Sequence, residues 1–528
     1  MPFNRTGLPP LPTFSDFQAL RKFGELYCDR SVQIAKLAAR KPGLFYLGRP
    51  RMFGRTFLLT TLKALFKEGA AVFDGLAGEG LWKEKPYKVV EILHMSLCAH
   101  FSSDEDFRKR LQSYILRTFE PYGFNRQDDV GSRSFWYAFG RWLERQAPQS
   151  TVLLIDDFEF PFIDTADSHW FRSEIASEYS AFFDCLREHD DRLRFLMMTG
   201  TTRCITTGFD WVFRWLTDIT FDADTSDIVG FTRKDLETTF LPWVQRAAQT
   251  TGLTPVDVMD RLEAWYGGWR FSFEEKPPVL CPWMVNSYLR DPHERVEVDW
   301  QCYGRQRTVV LKFRDAWLER NMLTLTDTIR PTKKELTEHE TDRDFRIELL
   351  MAQAGFYTIK SVDRDRMVTL TSPNAEGRRA MLASRAHRLL GRTTFAGWAR
   401  AEDVPADPLD AADYFSMLMN GISRQRFPVT DAFYCLRYLA ILLADHGFDV
   451  EVSTDTDPME LRLAFQKRPV VFLFAWAVLE EDVETALSAL ERRIAQRPEE
   501  KGDPVFPLIW CEETERFVSR GASEHQPV

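Results

Sequence analysis

At 528 residues the chain is too long for a single hydrophobic core, and its 44% apolar, 28% charged and 13% aromatic composition excludes a disordered chain. A formal net charge of -10 argues against a general cationic surface for nucleic acid, although it is compatible with a local basic groove. Eight cysteines without a Cys-x-x-Cys pair, no H-x-x-x-H pair, an N-terminus without an apolar h-region and a strongest apolar run of only ten residues (470–479) point to a cytoplasmic protein with reduced thiols, no zinc site and no membrane span.

Residues 44–48 ("LFYLG") read as a short buried strand with a glycine stop, and 56–66 ("TFLLTTLKALF") have helical spacing. A second strand is predicted over 87–95, followed by amphipathic helices near 104–119 and 132–146. Residues 151–155 ("TVLLI") are a β-branched run ending in Asp156-Asp157. A helix near 172–188 leads to "RLRFLMMTG" (192–200), a further strand. Strands that are continuously apolar and alternate with helices predict a parallel sheet covered on both faces. At Gly230 the pattern changes: Thr232-x-x-Asp235 is a capping-box-like start, and the chain reads mainly helical to about 390, ending in a basic helix over 377–392. Residues 401–410 ("AEDVPADPLD") read as a linker. Beyond it come a helix over 432–445, strands at 448–453, 461–466 and 470–479, and an amphipathic helix over 481–496, with a frayed end.

Three of these elements carry chemistry. The strand at 44–48 is followed by the turn "RPRMFG", and Arg55-Thr56 open a helix, which is the context of a phosphate-binding loop. Such a loop uses backbone N–H groups for phosphates, a lysine for the terminal phosphates and a Ser/Thr hydroxyl for Mg²⁺. Here Arg49 replaces the first glycine and Arg55 the lysine. Asp156 ends a strand as a Walker B carboxylate does, to hold Mg²⁺ opposite Thr56, and Asp157 stands where a water-activating glutamate is usual. In "TGTTR", Arg203 follows a parallel strand at the edge where open α/β sheets bind ligands. The candidate residues are therefore Arg49, Arg51, Gly54, Arg55, Thr56 and Arg203 for the nucleotide, Thr56 and Asp156 for Mg²⁺, and Asp157 for catalysis.

The same stretches carry a family likeness. "YCDRS" (27–31) is similar to Y-V-D-K-T, "RPRMFGRTFLLTTL" to R-P-R-R-F-G-K-S-L-L-L-S-T-L, and "LLIDDFEFPF" to L-I-D-E-Y-D-x-P. "TGTTR" with "LTDIT", then "GFT", "WYGGWRF" (265–271), "CPWMVNSYL" (281–289) and "SPNAEGR" (372–378), follow in the matching order. Residues 10 to about 385 thus resemble the bacterial AAA-ATPase-like family usually fused to a PD-(D/E)XK nuclease domain. The resemblance makes Arg49 ordinary and leaves Arg55 as the departure. Arginine is a wide planar fork and lysine a compact charge, so nucleotide binding with weak hydrolysis is expected. The family's nuclease pattern, an Asp followed by Glu-x-Lys on the next strand, falls on Arg462, Ala475 and Ala477, with Ala489 near a helical glutamine position. Nuclease activity is expected to be absent.

The resulting expectation is an α/β protein: a P-loop NTPase-type parallel sheet over 1–229, a mainly helical lid or connector over 230–398, a small restriction-endonuclease-like α/β domain over 399–515 and a tail over 516–528. Its leading function is binding of ATP and Mg²⁺. The alternatives are a non-catalytic pseudoenzyme serving interaction or regulation, through a protein partner or self-association, and a nucleic-acid binder, which the net charge does not support.

Overall fold

A computed structural model of the chain describes residues 7–13, 15–98, 101–125, 135–164, 169–203, 210–292, 328–337, 347–390, 408–446, 448, 450–465, 468–497 and 503–520. Among these, the residues up to 292 together with 328–375 form one compact unit, and those from 376 onward form another.

The first unit is built on five parallel strands: β1 (Leu44–Gly48), β2 (Val89–His94), β3 (Thr151–Asp156), β4 (Leu193–Gly200) and the two-residue β5 (Thr217–Asp218). Their order is β2-β3-β4-β1-β5. Every residue of β3 and β4 is buried, which is why these strands read as unbroken apolar runs. On one face, Phe45, Leu47, Val152 and Met197 pack against Leu58, Leu62 and Leu65 of the Arg55–Glu68 helix. On the other, Leu153, Ile155, Leu196 and Met198 meet the Asp104–Phe119, Phe135–Glu144 and His169–Glu188 helices through residues such as Leu111, Phe139 and Phe182.

This division has a topological cause. The connection leaving β1 crosses β4 and β3 to reach β2, whereas those leaving β2, β3 and β4 run the opposite way. Right-handed crossovers then place the β1 helix alone on its face and the others on the opposite face. The loops after β1 and its neighbour β4 part company, and a crevice opens at the carboxyl edge. The register keeps that edge level: Gly48 pairs with Gly200, and His94 with Asp156.

The helices after Gly230 do not stand apart from this unit. Leu236, Val244, Leu262 and Met284 belong to the same core as β1 and its helix. The expected capping box is formed, with Thr232 accepting from the Asp235 N–H and Asp235 from the Thr232 N–H. The region expected to be mainly helical also contains a hairpin, β6 (Thr358–Val362) and β7 (Val368–Thr371).

The second unit has five strands, β8 (Val450–Ser453), β9 (Met459–Phe465), β10 (Arg468–Ala477), β11 (Val505–Cys511) and β12 (Arg516–Ser519), in the order β12-β11-β10-β9-β8. Only β10 and β11 are parallel, joined by the Glu480–Ala495 helix. That helix covers one face through Val483, Leu487 and Leu490, and the Ala411–Asn420 and Ala432–Asp445 helices cover the other. The unit begins before the expected boundary at 398, because Ala386 and Leu389 of the Ala375–Leu389 helix join its core. It also ends later than expected. The stretch from 516 is not a tail but an edge strand, anchored by buried Phe517. Most of the expected linker (401–407) and the final residues 521–528 lie outside the described residues.

Candidate functional site

The turn after β1 enters the Arg55–Glu68 helix through two residues in the left-handed region, Met52 (φ 65°) and Gly54 (φ 95°). No side chain caps this helix, so its first N–H groups are left for another acceptor. Thr56, in the first turn, donates from Oγ1 to Asp156 Oδ2 at 2.6 Å. Thr199, at the end of β4, donates to the other carboxylate oxygen at 2.8 Å. His94 Nδ1 lies 3.6 Å from Asp156 Oδ2. Burial pushes the Asp156 carboxyl up, but His94, the Arg55 charge and the two hydroxyls together pull it down to about 2. Asp156 is therefore an anion in the fold.

Arg55 does not extend away from the protein. It is 8% exposed, and its guanidinium lies 2.8 Å from Asp157 Oδ1 and 3.8 Å from Glu159 Oε1. Asp157 itself adopts φ 53°, a conformation Asp tolerates better than most residues. Glu159, two residues on, is fully buried. Its Oε1 accepts from the Thr201 N–H at 2.7 Å, while Oε2 has no hydrogen-bond partner among the described residues. Burial pushes its carboxyl up to about 7 despite the Arg55 charge. The close approach of β4 to Glu159 requires Gly200, where a Cβ would stand 2.6 Å from Oε2. Sequence reasoning passed over Glu159. Its signal was present in "DDFEF", where it occupies the third acidic position of the matched L-I-D-E-Y-D-x-P pattern.

Beside this cluster lies a cavity of about 570 Å³, within the usual range for a small-molecule site. Arg51, Gly54, Arg55, Thr56 and Asp157 line one end. Arg51 makes no hydrogen bond or ion pair with any described residue. The rest of the wall comes from segments far apart in sequence, including Tyr27, Ile34, Ile228, Phe231, Trp283 and Asn286. Arg30 locks its own segment to that of Ile228 and Phe231. It pairs with Asp235 at 2.5 Å and donates to the carbonyls of Asp227 and Gly230. The stretches "YCDRS", "GFT" and "CPWMVNSYL", noted in the sequence only for their family likeness, are thus wall segments of one cavity.

Three candidates lie outside the cavity lining: Asp156, bonded to Thr56 and Thr199, and Arg49 and Arg203. Arg49 is completely buried and donates to the carbonyls of Gly48, Thr220 and Thr225, with its guanidinium 4.3 Å from the Phe271 ring centroid. It ties β1 to the segment after β5. Arg203 pairs with Asp218, donates to the Thr337 carbonyl and lies over the rings of Tyr46 and Phe213. The structure therefore brings together Arg51, Gly54, Arg55, Thr56, Asp156 and Asp157, and places Arg49 and Arg203 apart from them, on other partners.

Comparison with known proteins agrees with this geometry. Residues 13–209 match the AAA-ATPase_like family model, described as a predicted AAA-ATPase. The chain is also 25% identical over 329 residues to an uncharacterized protein in the vnfD 5' region of Azotobacter chroococcum mcd 1, a match spanning 61% of this chain and 58% of that relative. The family match contains the loop after β1 and the Asp156–Thr201 cluster, and it ends before the second unit. The five-stranded parallel sheet is consistent with a P-loop NTPase-like fold. No helix among the described residues is long and apolar enough to cross a membrane.

Proposed function

We propose that the first unit binds ATP with Mg²⁺ and hydrolyses it weakly or not at all, serving as a nucleotide-dependent switch. The carrying observation is the contact between Thr56 and ionised Asp156 beside a cavity with an uncapped helix N-terminus. A hydroxyl and a carboxylate so placed fit Mg²⁺: Thr56 and Asp156 would hold it, and it would neutralise phosphate charge. Arg51, the lining cation without a hydrogen bond or ion pair among the described residues, supplies charge to the phosphates, and the N–H groups at the helix start hold their oxygens. Arg55 is held by Asp157 and Glu159, and Asp157 is held in return. A carboxylate so paired is a poor base for activating water. The test is isothermal titration of wild type and Arg51→Ala with ATP–Mg²⁺, alongside a turnover assay. Heat in wild type, reduced in the variant, with little turnover, is the expected result. Absence of heat in wild type overturns the reading.

For the second unit we infer a nuclease-like fold without nuclease chemistry, in an interaction or regulatory role. Its helix–strand–strand–strand–helix–strand–strand order supports the fold. Glu460 pairs with Leu473, and Arg462 with Val471, so both share a face with Ala475 and Ala477. Glu460 is a carboxylate on this face that sequence reasoning did not single out, and it is bound by both Arg462 and Arg497. Incubation of the full chain with plasmid DNA and Mg²⁺ or Mn²⁺ is expected to leave the DNA uncut. Cutting that disappears in Glu460→Gln overturns this inference.

A further inference from the structure

We propose that Asn286 reads the base of the bound nucleotide and selects adenine over guanine. The proposal rests on the ATP-binding reading and adds the residue that gives that site its base specificity. Asn286 lies on the Pro282–Arg290 helix, is only 6% exposed and lines the cavity. Its amide makes no hydrogen bond with any described residue, and its Oδ1 is enclosed without a partner. Buried amides are almost always satisfied, so an unsatisfied one in a cavity wall marks the place of a ligand group.

The surroundings state which group. The same lining holds an apolar and aromatic set, Tyr27, Ile34, Ile228, Phe231 and Trp283, which suits the faces of a purine. The charged groups gather at the other set of lining residues, Arg51, Arg55 and Asp157. Arg30 also lines the cavity, but its guanidinium is spent on Asp235 and two backbone carbonyls. Asn286 is the one side-chain amide among the lining residues. An amide offers a donor beside an acceptor, and turning its plane exchanges the two ends. That pair matches adenine, whose N6 amine stands beside a ring-nitrogen acceptor. Guanine presents two acceptors, O6 and N7, on the corresponding edge; its other edge offers O6 and N1–H to an amide, but the N2 amine beside them then needs a further acceptor. Asp157, at the P-loop end, is the only carboxylate among the lining residues, so the lining holds no second carboxylate to take that amine as Asn286 takes the neighbouring groups.

The experiment titrates the full-length chain with Mg²⁺ complexes of ATP, GTP and inorganic triphosphate, for wild type, Asn286→Leu and Asn286→Asp. Wild type is expected to prefer ATP over GTP by roughly tenfold or more. Asn286→Leu, close in volume, is expected to weaken ATP by a similar factor, remove the preference and leave triphosphate unchanged, the last serving as a check on folding. Asn286→Asp offers only acceptors and is expected to shift the preference toward GTP. Equal affinity for ATP and GTP in wild type, or a preference unaltered in both variants, overturns the assignment while leaving nucleotide binding intact. Failure of all three compounds to bind wild type removes the nucleotide reading itself.

Discussion

Replacing Asp157 by Asn separates the two tasks assigned to the Arg55 pair, because stability and nucleotide affinity should move in opposite directions. The pair is at 2.8 Å, with Arg55 8% and Asp157 24% exposed. Breaking a buried ion pair costs about 3–5 kcal/mol, and an exposed pair contributes about 0–1 kcal/mol. Asp157 is partly solvated and Glu159 remains near the guanidinium at 3.8 Å, so an intermediate loss of about 2 kcal/mol is expected. At the same time a negative charge leaves the cavity and Arg55 loses its nearest anchor. At an effective dielectric near 20, a unit charge 4 Å away contributes up to about 4 kcal/mol. A tenfold gain in ATP–Mg²⁺ affinity, about 1.4 kcal/mol, requires only part of that. Urea unfolding and isothermal titration on the same preparations measure both quantities. A folded Asp157→Asn protein that binds ATP–Mg²⁺ no more tightly than wild type refutes the idea that Asp157 holds Arg55 back from the phosphates.

Other consequences follow from the same cluster. Because burial holds the Glu159 carboxyl near 7, above its unfolded value of about 4.3, the folded state binds the extra proton. Its contribution to stability is present below about pH 4.3 and is lost as pH rises through 7. Thermal melts from pH 3 to 8 should show this slope in wild type and not in Glu159→Gln, and parallel curves would contradict it. Asp156 acts in the opposite sense: it is held down at about 2, so its contribution is present above about pH 3.9 and is lost as pH falls toward 2. Arg51→Ala, which breaks no hydrogen bond or ion pair, should change stability by less than about 0.5 kcal/mol while weakening ATP–Mg²⁺ roughly tenfold. Gly200→Ala should destabilise the protein by about 1–3 kcal/mol in urea unfolding, since its methyl meets both Glu159 Oε2 and the Phe158 ring at 2.6 Å.

The sequence by itself determined the four longer strands of the first sheet, since a parallel strand buried on both faces must be apolar throughout and so announces itself. It also determined the loop after β1 and the acid at the end of β3, whose residue types and chain order are local properties. The register then needed only to bring the strand ends level for Thr56, Asp156 and Thr199 to meet. The weaker elements were less legible: β5 has two residues, and the edge strand β12 has four, of which only Phe517 is buried. The partners of the cations were not legible at all. Arg49, Arg51, Arg55 and Arg203 carry the same group at the same edge of one sheet. Yet one ties backbone carbonyls, one has no partner among the described residues, one pairs with Asp157 and one with Asp218. A long charged side chain takes whichever acceptor the tertiary fold brings within reach, and no spacing rule records that choice. The cavity wall has the same origin. Tyr27, Phe231 and Asn286 become neighbours only because the helices after Gly230 pack back onto the face that the β1 crossover leaves open.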